Sequence, residues 1–464
     1  MRSKLEKISL LISGAVIGIL FAFNIPVFAD KNNPNNLPID KLRTFAEVFG
    51  KIKTDYVDPI GDPKLLDEAL KGMLSGLDPH SVYLDKDKFK DLSQGTAGEF
   101  GGLGIEVGMK DGFVEVITPI EDTPAFNAGL KSGDLIIKLD DTLVKGLTLN
   151  DAVKLMRGKP GTSIDIRVLR ENVVDPIDIK ITRAQIKTKS VKAKLVEPDY
   201  AYLRVTQFQD RTGEDLAKAI NKLRKENKHA FNGIILDMRN NPGGLLTQAV
   251  SVSAAFLEDD KLVVYTEGRA PDSKMRLTTS PENFIRPGGD FDKNNYINTL
   301  PKDIKDVPMV VIINNGSASA AEIVTGALKD HKRATVLGTR SFGKGSVQSI
   351  LPMMNGSAIK LTTARYYTPN GTSIQGKGIE PDITVTDGTE SLAYREEDIP
   401  DSLSNLQDKN EKKDKPVLNG PTPEQKEALK NYKPIKFGTD EDVQFVEALK
   451  ILKGMGEQAS FTKN

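Results

Sequence analysis

A lysine flanked by glycines, Lys344 in the stretch GTRSFGKGS, is the first residue whose surroundings could support chemistry. The spacing from Gly338 to Lys344 is that of a phosphate-binding P-loop. A P-loop needs Ser or Thr directly after the lysine, because that hydroxyl binds Mg²⁺. Gly345 occupies this position, and Ser346 comes one residue later. The segment is therefore a poor P-loop, and proton transfer by Lys344 is the alternative chemistry.

Ser319 is a second candidate, because it lies where the apolar run VVIINN ends and a helical pattern begins. Unpaired backbone N–H groups at a helix start can hold an oxyanion, and helix capping is the alternative role for a serine there. The segment LDMRNNPGG favours catalysis, because its glycines let backbone amides approach a ligand. An amide of Gly243 or Gly244 could complete an oxyanion hole with that of Ala320. A plain turn is the alternative for the glycines.

A nucleophilic serine needs a general base, and the sequence offers three histidines, His80, His229 and His331. His331 lies 12 residues beyond Ser319 on the same predicted helix. At 1.5 Å per residue the two are about 18 Å apart. His229 belongs to the basic segment KENKH, and His80 belongs to the N-terminal helical region. A Ser-His-Asp triad is therefore poorly supported.

Lysine is the other established base for a serine, which makes Lys344 the candidate. The strand-like run ATVLG before it should pair beside MVVIIN and return the chain to the sheet edge that carries Ser319. To accept a proton, Lys344 needs a pKa about three units below its reference of about 10.4, which burial can cause. Gln348 stands four residues on and could orient the amine. A surface lysine in a glycine loop is the alternative.

The elements that must position these residues alternate between strands and helices over residues 198–385. The runs AYLRV, NGIILDMR, VPMVVIINN and ATVLG are almost continuously apolar, as in strands covered on both faces. Helical patterns such as GEDLAKAINKLRKE and SAAEIVTGALKDH lie between them. The predicted fold class of this core is therefore α/β.

A β-rich module with one helix, capped by Thr148, precedes this core. Its GLGI turn resembles the carboxylate-binding loop of a PDZ domain, in which backbone amides capture a chain terminus. A bound peptide would add a strand beside this loop, and its last side chain would enter a pocket lined by Val153 and Met156. A hairpin turn is the alternative for GLGI alone. The predicted loop residues are Gly102, Leu103, Gly104 and Ile105.

The N-terminus combines a basic start, MRSKLEK, with an apolar run from Ile8 to Ala29. This pattern predicts a secretory signal peptide, and an uncleaved membrane anchor is the alternative. Either way we expect export to the periplasm or cell envelope, with anchoring to the inner membrane in the second case. The chain is predicted to comprise a signal peptide or anchor (1–29), a helical N-terminal region (30–97), the β-rich module (98–184), the catalytic core (185–390), and a charged, solvated linker with a helical C-terminal region (391–464).

The composition excludes several classes of function. The 464 residues contain 64 Lys and Arg and 64 Asp and Glu, so net charge gives no reason to expect nucleic-acid binding. There is no cysteine, which excludes thiol nucleophiles, disulfides and Cys-bound metals. The histidines are scattered, and the acidic run from Glu258 to Asp260 is most simply a solvated turn. We therefore expect no metal site and no cofactor.

Several motifs together give this sequence a family resemblance. NNGSASAAEI, SFGKGSVQ, LDMRNNPGG and LDPHSVYL resemble the C-terminal processing peptidases, or tail-specific proteases, from about Leu42 to Thr386. The resemblance implies a catalytic core of the ClpP/crotonase fold, an inserted PDZ domain, Ser319 as nucleophile and Lys344, 25 residues later, as base. It also implies that Gln348 supports the lysine and that the PDZ module gates the active site.

The expected activity is thus that of an exported serine endopeptidase acting on proteins with apolar C-termini. The alternatives are a non-catalytic PDZ scaffold in the cell envelope and a crotonase-like acyl-CoA enzyme, which export and the PDZ module disfavour. The amphipathic N- and C-terminal segments suggest a homo-oligomer. An adaptor protein is a further expected partner, whereas nucleic acid is not.

Overall fold

The computed structural model describes residues 38–120, 123–171, 173–285, 295–388, 394–408 and 435–461. The chain divides into two units, one that ends at Leu70 and one that begins at Lys71. The first contains helix α1 (Ile39–Asp55) and the start of helix α2 (Asp62–Ser75). No residue of either helix is buried. The candidate site lies in the second unit, whose architecture follows.

Some helices of the second unit begin at a side chain that caps the first turn. The side chain of Asp85 accepts the N–H of Lys88 at the start of α3, and Gly98, at a φ of 71°, follows its last residue. Thr148 caps α5 by accepting the N–H of Asp151, as the sequence predicts. The helices that follow α2 in the described part of the second unit are α3 (Lys86–Ala97), α4 (Pro124–Asn127), α5 (Leu149–Met156), α6 (Thr212–Asn227), α7 (Leu246–Ala254), α8 (Ala320–Asp330) and α9 (Val443–Phe461).

The strands fall into a first group before the catalytic core and a second group within it. The first group is β1 (Val82–Leu84), β2 (Glu99–Gly102), β3 (Ile105–Lys110), β4 (Phe113–Pro119), β5 (Leu135–Leu139), β6 (Thr142–Leu143), β7 (Ser163–Leu169), β8 (Ile177–Thr182) and β9 (Ala184–Lys187). The second group is β10 (Val191–Glu197), β11 (Tyr200–Val205), β12 (Gly233–Asp237), β13 (Leu262–Gly268), β14 (Arg276–Thr278), β15 (Met309–Ile313), β16 (Thr335–Gly338), β17 (Ser346–Pro352), β18 (Ala358–Tyr367) and β19 (Ile383–Thr384).

A six-stranded central sheet has the order β10-β11-β12-β15-β16-β19. Within this sheet β11, β12, β15, β16 and β19 are parallel to one another, and β10 is antiparallel to β11. Successive side chains of a strand point to opposite faces, so Leu236 and Val311 enter the core shared with α6, α7 and α8. Ile235 and Val310 pack instead in the cluster that contains Phe445 of α9. The sheet is thus covered on both faces, as its apolar runs predict.

The β-rich module forms a separate antiparallel sheet with its own core. Its strand order is β3-β4-β5-β7-β8, and β6 pairs with β5. Buried Val114, Ile136 and Ile166 pack with Met156 of α5. Strand β3 is at the edge of this sheet, and β2 and β9 form a separate two-stranded pair at the module's boundary with the core.

A third, antiparallel sheet has the order β1-β18-β13-β14, with β17 also paired to β18. We call it the cleft sheet, because β17 and β18 form a wall of the cleft described below. Strand β1 belongs to the LDPHSVYL motif, and Val82 pairs with Lys360. The sequence patterns do not predict this sheet, because β1 and β18 are far apart along the chain.

Part of the segment that the sequence predicts as a solvated linker is packed on the core. In residues 394–408, Glu396 is fully buried and Asn405 is 5% exposed. The Glu396 carboxylate accepts a hydrogen bond from the side chain of Gln375 and lies 2.9 Å from Nε2 of His80. The prediction of a solvated segment is therefore wrong for these residues, because specific polar partners offset their low apolar content.

Candidate active site

Ser319 lies at the turn between β15 and α8, where it is the residue that precedes the helix. Its backbone has a φ of 54° and a ψ of −115°, a conformation that residues with a side chain rarely adopt. Strained backbone of this kind persists where the surrounding structure enforces it, commonly at functional sites. Gly243 lies against it, since a Cβ at Gly243 would be 2.8 Å from the Ser319 Cβ. The turn thus exposes the serine beside a glycine loop.

Ser317, the other serine of the motif, has a structural role. It is fully buried, and its hydroxyl donates to the carbonyl of Met238 at 2.9 Å. The same hydroxyl accepts the N–H of Asn314 at 3.0 Å. These bonds join the turn to the end of β12, so Ser319 is the serine of this turn that lines the cleft.

The candidate oxyanion hole has fewer free backbone N–H donors than the sequence suggests. The Gly243 N–H donates to the side chain of Asn241 at 2.9 Å, which removes it from the set of free donors. Within the described ranges, the N–H groups of Gly244 and Ala320 donate no hydrogen bond. A Cβ at Gly244 would lie 2.1 Å from the carbonyl oxygen of Phe208, so only glycine fits there. The two available donors are therefore Gly244 and Ala320.

Lys344 reaches the same cleft through the pairing that the sequence predicts. Strand β16 runs parallel beside β15, and the loop after β16 carries Lys344 back past the start of α8. Ser319 and Lys344 both line a cleft of about 730 Å³. Burial, then the positive charge of Lys360, lowers the pKa of Lys344 from 10.5 to about 8. In the described residues no hydrogen bond joins Ser319 Oγ to Lys344 Nζ, so proton transfer requires the two groups to approach.

Glu322, which sequence reasoning missed, connects the two candidate residues. Its Oε2 accepts the N–H of Ser319 at 2.7 Å and that of Lys344 at 2.9 Å. Its Oε1 accepts the N–H of Gly343 at 2.7 Å and the hydroxyl of Ser341 at 2.6 Å. Burial raises the pKa of Glu322 to about 7, against the effect of these donors. The available signal was the capping pattern, a serine followed three residues later by glutamate.

Gln348 lines the cleft, but its hydrogen bonds differ from those expected. Its side-chain amide donates to Ser346 Oγ at 2.9 Å and to Thr362 Oγ1 at 3.4 Å. No hydrogen bond links it to Lys344 in the described part of the chain. Gln348 therefore lines the same cleft as Lys344, but its side-chain amide binds Ser346 and Thr362 of the cleft sheet instead of the amine.

Two further residues line the cleft although no sequence pattern predicted it. Lys360 and Tyr366, both on β18, line the cleft together with Ser319 and Lys344. The Tyr366 hydroxyl is buried beside the side chain of Ser319, although within the described residues the geometry falls short of a hydrogen bond. Burial, then the charge of Glu322, raises the pKa of this phenol well above its ordinary value. It stays protonated at neutral pH and contributes a neutral donor to the site.

The histidines take no part in this cluster. His331 follows α8, and its Nε2 lies 2.7 Å from the carbonyl of Leu262. His80 pairs with Glu396, and His229 is exposed. In the described ranges no three His, Asp or Glu side chains are grouped as a metal site. Among the described residues, Lys344 and Lys360 are the basic side chains that line the cleft with Ser319, and the backbone of Lys344 shares Glu322 with that of Ser319.

The GLGI loop has the backbone that a carboxylate-binding loop requires. Gly104 has a φ of 82°, and a Cβ there would lie 2.3 Å from that of Thr123. The N–H groups of Leu103 and Gly104 donate no hydrogen bond within the described residues, whereas both carbonyls are paired. Gly102 ends β2, and Ile105 begins the edge strand β3. The predicted pocket residues Val153 and Met156 belong to the core that contains Leu103.

The predicted signal peptide or anchor, residues 1–29, lies outside the described residues. From Pro38 onward, none of the described helices has the length and the apolar character that a membrane span would need.

Comparisons with known proteins place the chain in a family. The model of Peptidase family S41 matches residues 199–385, that of the PDZ domain matches residues 101–181, and that of the Activating protease CtpB N-terminal domain matches residues 25–88. A carboxy-terminal-processing protease of Bartonella bacilliformis is 46% identical over 373 residues, which are 80% of this chain and 81% of that protein. The carboxy-terminal processing protease CtpB of Bacillus subtilis is 36% identical over 365 residues, 78% of this chain and 70% of that protein.

A solved structure, the photosystem II D1 C-terminal processing protease, is 28% identical with a TM-score of 0.41, covering 74% of this chain and 86% of its own. The identity to the curated relatives extends over both the PDZ module and the α/β core. The scaffold and acyl-CoA alternatives are therefore excluded. The chain belongs to the carboxy-terminal processing proteases of peptidase family S41, as a mixed α/β serine-type peptidase with a peptide-binding PDZ domain.

Proposed function

We propose that this protease cleaves peptide bonds with a dyad of Ser319 and Lys344 in a core of the ClpP/crotonase fold. The observation that carries the proposal is the shared carboxylate: Glu322 binds the backbone N–H groups of both residues and holds them at one cleft. The lowered pKa of Lys344, about 8, leaves part of the amine neutral near pH 7. A neutral amine is what a serine nucleophile needs as its base.

The steps follow from these positions. Lys344 takes the proton of the Ser319 hydroxyl as Oγ bonds to the carbonyl carbon of the substrate. The N–H groups of Gly244 and Ala320 stabilise the negative oxygen that forms. The carbon–nitrogen bond then breaks, and the leaving amine takes the proton from Lys344. Lys344 next removes a proton from water as the water oxygen bonds to the acyl carbon. The bond between that carbon and Oγ then breaks, Oγ takes the proton back from Lys344, and the new carboxyl terminus is released.

Substrate selection belongs to the PDZ module in this proposal. The free N–H groups of Leu103 and Gly104 bind the terminal carboxylate, and the peptide adds as a strand beside the edge strand β3. The apolar cluster around Leu103 and Met156 favours an apolar last residue. Helix α3 supports coupling to catalysis, because its Asp91 pairs with Arg157 of the module while its Leu92 lines the cleft.

The proposal extends to the setting of the enzyme. The basic and apolar start of the sequence supports export to the periplasm or cell envelope, either as a cleaved chain or anchored to the inner membrane. Exposed apolar side chains on α1, Leu42, Phe45 and Val48, support assembly of two or more copies through the N-terminal helical region. The expectation that the C-terminal helix also serves assembly is wrong for its apolar face, because Phe445, Leu449 and Leu452 of α9 are buried against the central sheet. An adaptor protein is a further proposed partner.

The test is cleavage of an unfolded protein that ends in apolar residues, by wild type, Ser319→Ala and Lys344→Ala. We expect both variants to lose activity, and we expect Lys192→Ala, which changes an exposed lysine of β10, to retain it. A matched substrate with an amidated C-terminus should be cleaved slowly by wild type. Cleavage by either dyad variant at the wild-type rate would overturn the dyad, and equal cleavage of the two substrates would overturn tail recognition.

A further inference from the structure

A second lysine, Lys360, projects into the active-site cleft from the cleft sheet. It lies opposite Ile350 in the antiparallel pair of β17 and β18, and Gln348 lies opposite Thr362 two residues along. Directly opposite residues of an antiparallel pair point to the same face. Gln348, Ile350 and Lys360 accordingly all line the cleft that holds Ser319 and Lys344. The strand register therefore fixes this lysine on the catalytic side of the sheet.

The ammonium group of Lys360 has no ionic or hydrogen-bonded partner within the described residues. The nearby carboxylate of Asp78, whose charge acts on Lys360, is held by other donors. It accepts the hydroxyl of Ser81 at 2.6 Å, that of Thr362 at 3.0 Å and the N–H of His80 at 2.9 Å. A half-buried lysine without a partner is costly, and such a charge acts strongly on neighbouring groups.

Four charged groups act on Lys344, each from a different segment of the chain. They are Lys360 on β18, Glu322 on α8, Glu396 in the 394–408 segment and Asp78 before β1. The three carboxylates are engaged elsewhere: Glu322 by backbone amides, Glu396 by His80 and Gln375, and Asp78 as described above. Lys360 is the group of this set whose charge is not directed to another partner.

We propose that Lys360 is a positioning residue of the catalytic site, whose positive charge keeps the Lys344 amine neutral so that it can accept the Ser319 proton. The inference rests on the proposed dyad. A like charge disfavours the protonated form of a neighbouring amine, and paired cationic groups activate lysines in this way. The lowered pKa of Lys344 agrees, since the charge of Lys360 is its second cause after burial.

The test compares the pH dependence of kcat/KM in the full chain for wild type, Lys360→Met and Lys360→Arg. Wild type should gain activity as pH rises through about 8, the pKa of Lys344. In Lys360→Met this rise should move to higher pH by at least about 0.3 unit, a loss of about twofold at pH 7, with the alkaline plateau unchanged. Lys360→Arg keeps the charge and should keep the wild-type midpoint. Lys192→Met removes an exposed lysine of β10 and should also leave it unchanged.

A second readout does not depend on turnover. In the Ser319→Ala background, the rate at which an amine-reactive reagent modifies Lys344 is followed against pH by mass spectrometry. Adding Lys360→Met should move this titration upward. Lys360→Gln replaces the methionine variant if circular dichroism shows that the latter is unfolded.

The outcomes separate the two proposals. If the midpoint does not move in either assay, the role of Lys360 is overturned and the dyad stays intact. The same holds if only KM changes, which is the result expected of a substrate-binding lysine. Full activity of Lys344→Ala overturns the dyad itself, whatever Lys360 does. An upward shift in Lys360→Met that is absent from Lys360→Arg supports the proposal.

Discussion

The backbone N–H groups of Ser319 and Lys344 donate to the same oxygen, Oε2 of Glu322, at 2.7 and 2.9 Å. The two residues lie 25 positions apart in the sequence, on the helix start and on the loop after β16. One carboxylate oxygen thus determines how far apart the two backbones sit. Glu322 can do so because it is the third residue of α8, whose side chain reaches back to the residue before the helix.

Glu322→Gln should lower kcat by about 10- to 100-fold, since an amide has one acceptor oxygen where four donors must be satisfied. Its NH₂ group would face backbone N–H groups and displace either Ser319 or Lys344. We expect KM to change little, because Glu322 is fully buried away from the substrate. The measurement is steady-state cleavage of an unfolded protein, alongside circular dichroism to verify the fold.

Glu226→Gln provides the control for this change, because Glu226 is an exposed residue of α6. It should leave both kinetic constants at their wild-type values. An unaltered kcat in Glu322→Gln would show that the loop holds its geometry without the carboxylate.

Activity should rise with pH through about 8, because the neutral form of Lys344 is the base and burial lowers the pKa of this lysine to that value. The measurement is kcat/KM from pH 6 to 10, which reports groups of the free enzyme. Lys344→Arg should be inactive throughout this range, since arginine stays protonated. A profile that falls on going from pH 7 to 9 would contradict the assignment.

The same lowered pKa makes a prediction about stability. The folded-state pKa of Lys344 lies below its unfolded value, 10.5, so the protonated lysine opposes folding below about pH 8. Lys344→Met should therefore have the higher free energy of unfolding at pH 7, by up to about 3 kcal/mol. This advantage should shrink between about pH 8 and pH 10.5, as wild type loses its penalty. Urea unfolding at pH 7 and pH 10 measures it, and a constant difference would contradict the burial of the charge.

The sequence patterns predict those features that depend on neighbouring segments. The parallel pair β15 and β16, the start of α8 after Ser319 and the cap of α5 by Thr148 all follow from apolar runs and capping residues. Because adjacent parallel strands end at the same edge, the approach of Ser319 and Lys344 also followed. These features require no knowledge of how distant segments pack.

The remaining features depend on contacts between distant segments, for which a single sequence carries no signal. The Thr362 hydroxyl donates a hydrogen bond to Asp78, which lies 284 residues away, and Glu396 pairs with His80 across 316 residues. The charged composition of the segment around Glu396 predicts a solvated linker, but the Glu396 carboxylate is buried and paired with His80 and Gln375. Lys360 was missed for the same reason, since only the register of β17 and β18 shows that it faces the cleft.

Asp442→Asn should destabilise the protein by about 3–5 kcal/mol, because it removes one partner of a fully buried ion pair. Asp442 precedes α9, and its carboxylate accepts two hydrogen bonds from Arg239, at 2.6 and 2.7 Å. Arg239 leads into the loop that carries Gly243 and Gly244, so kcat should fall as well. Urea unfolding measures the first effect and steady-state kinetics the second.

Lys453→Met is the matched control, because Lys453 also joins α9 to the central sheet but through an exposed ion pair with Glu197 at 2.8 Å. Its loss should change the free energy of unfolding by at most about 1 kcal/mol. Similar effects of the two substitutions would mean that the buried pair contributes no more than the exposed one.

Gly104→Ala should weaken binding of a peptide with an apolar C-terminus by at least about tenfold. The new Cβ would lie 2.3 Å from that of Thr123, and a φ of 82° disfavours alanine, so the GLGI backbone must move. Its free N–H groups would then no longer converge on one carboxylate. The measurement is fluorescence anisotropy of a labelled peptide with the full chain carrying Ser319→Ala, which prevents cleavage.

Gly112→Ala separates the clash from backbone strain, because Gly112 has nearly the same φ, 81°, but no atom within 4 Å of an added Cβ. It lies in the turn between β3 and β4, away from the loop. This variant should lose about 1 kcal/mol of stability and keep its affinity for the peptide. Equal weakening in both variants would assign the loss to strain in the module as a whole. Unchanged affinity in Gly104→Ala would mean that the peptide terminus binds elsewhere, because no rearranged loop of this kind could present the same amides.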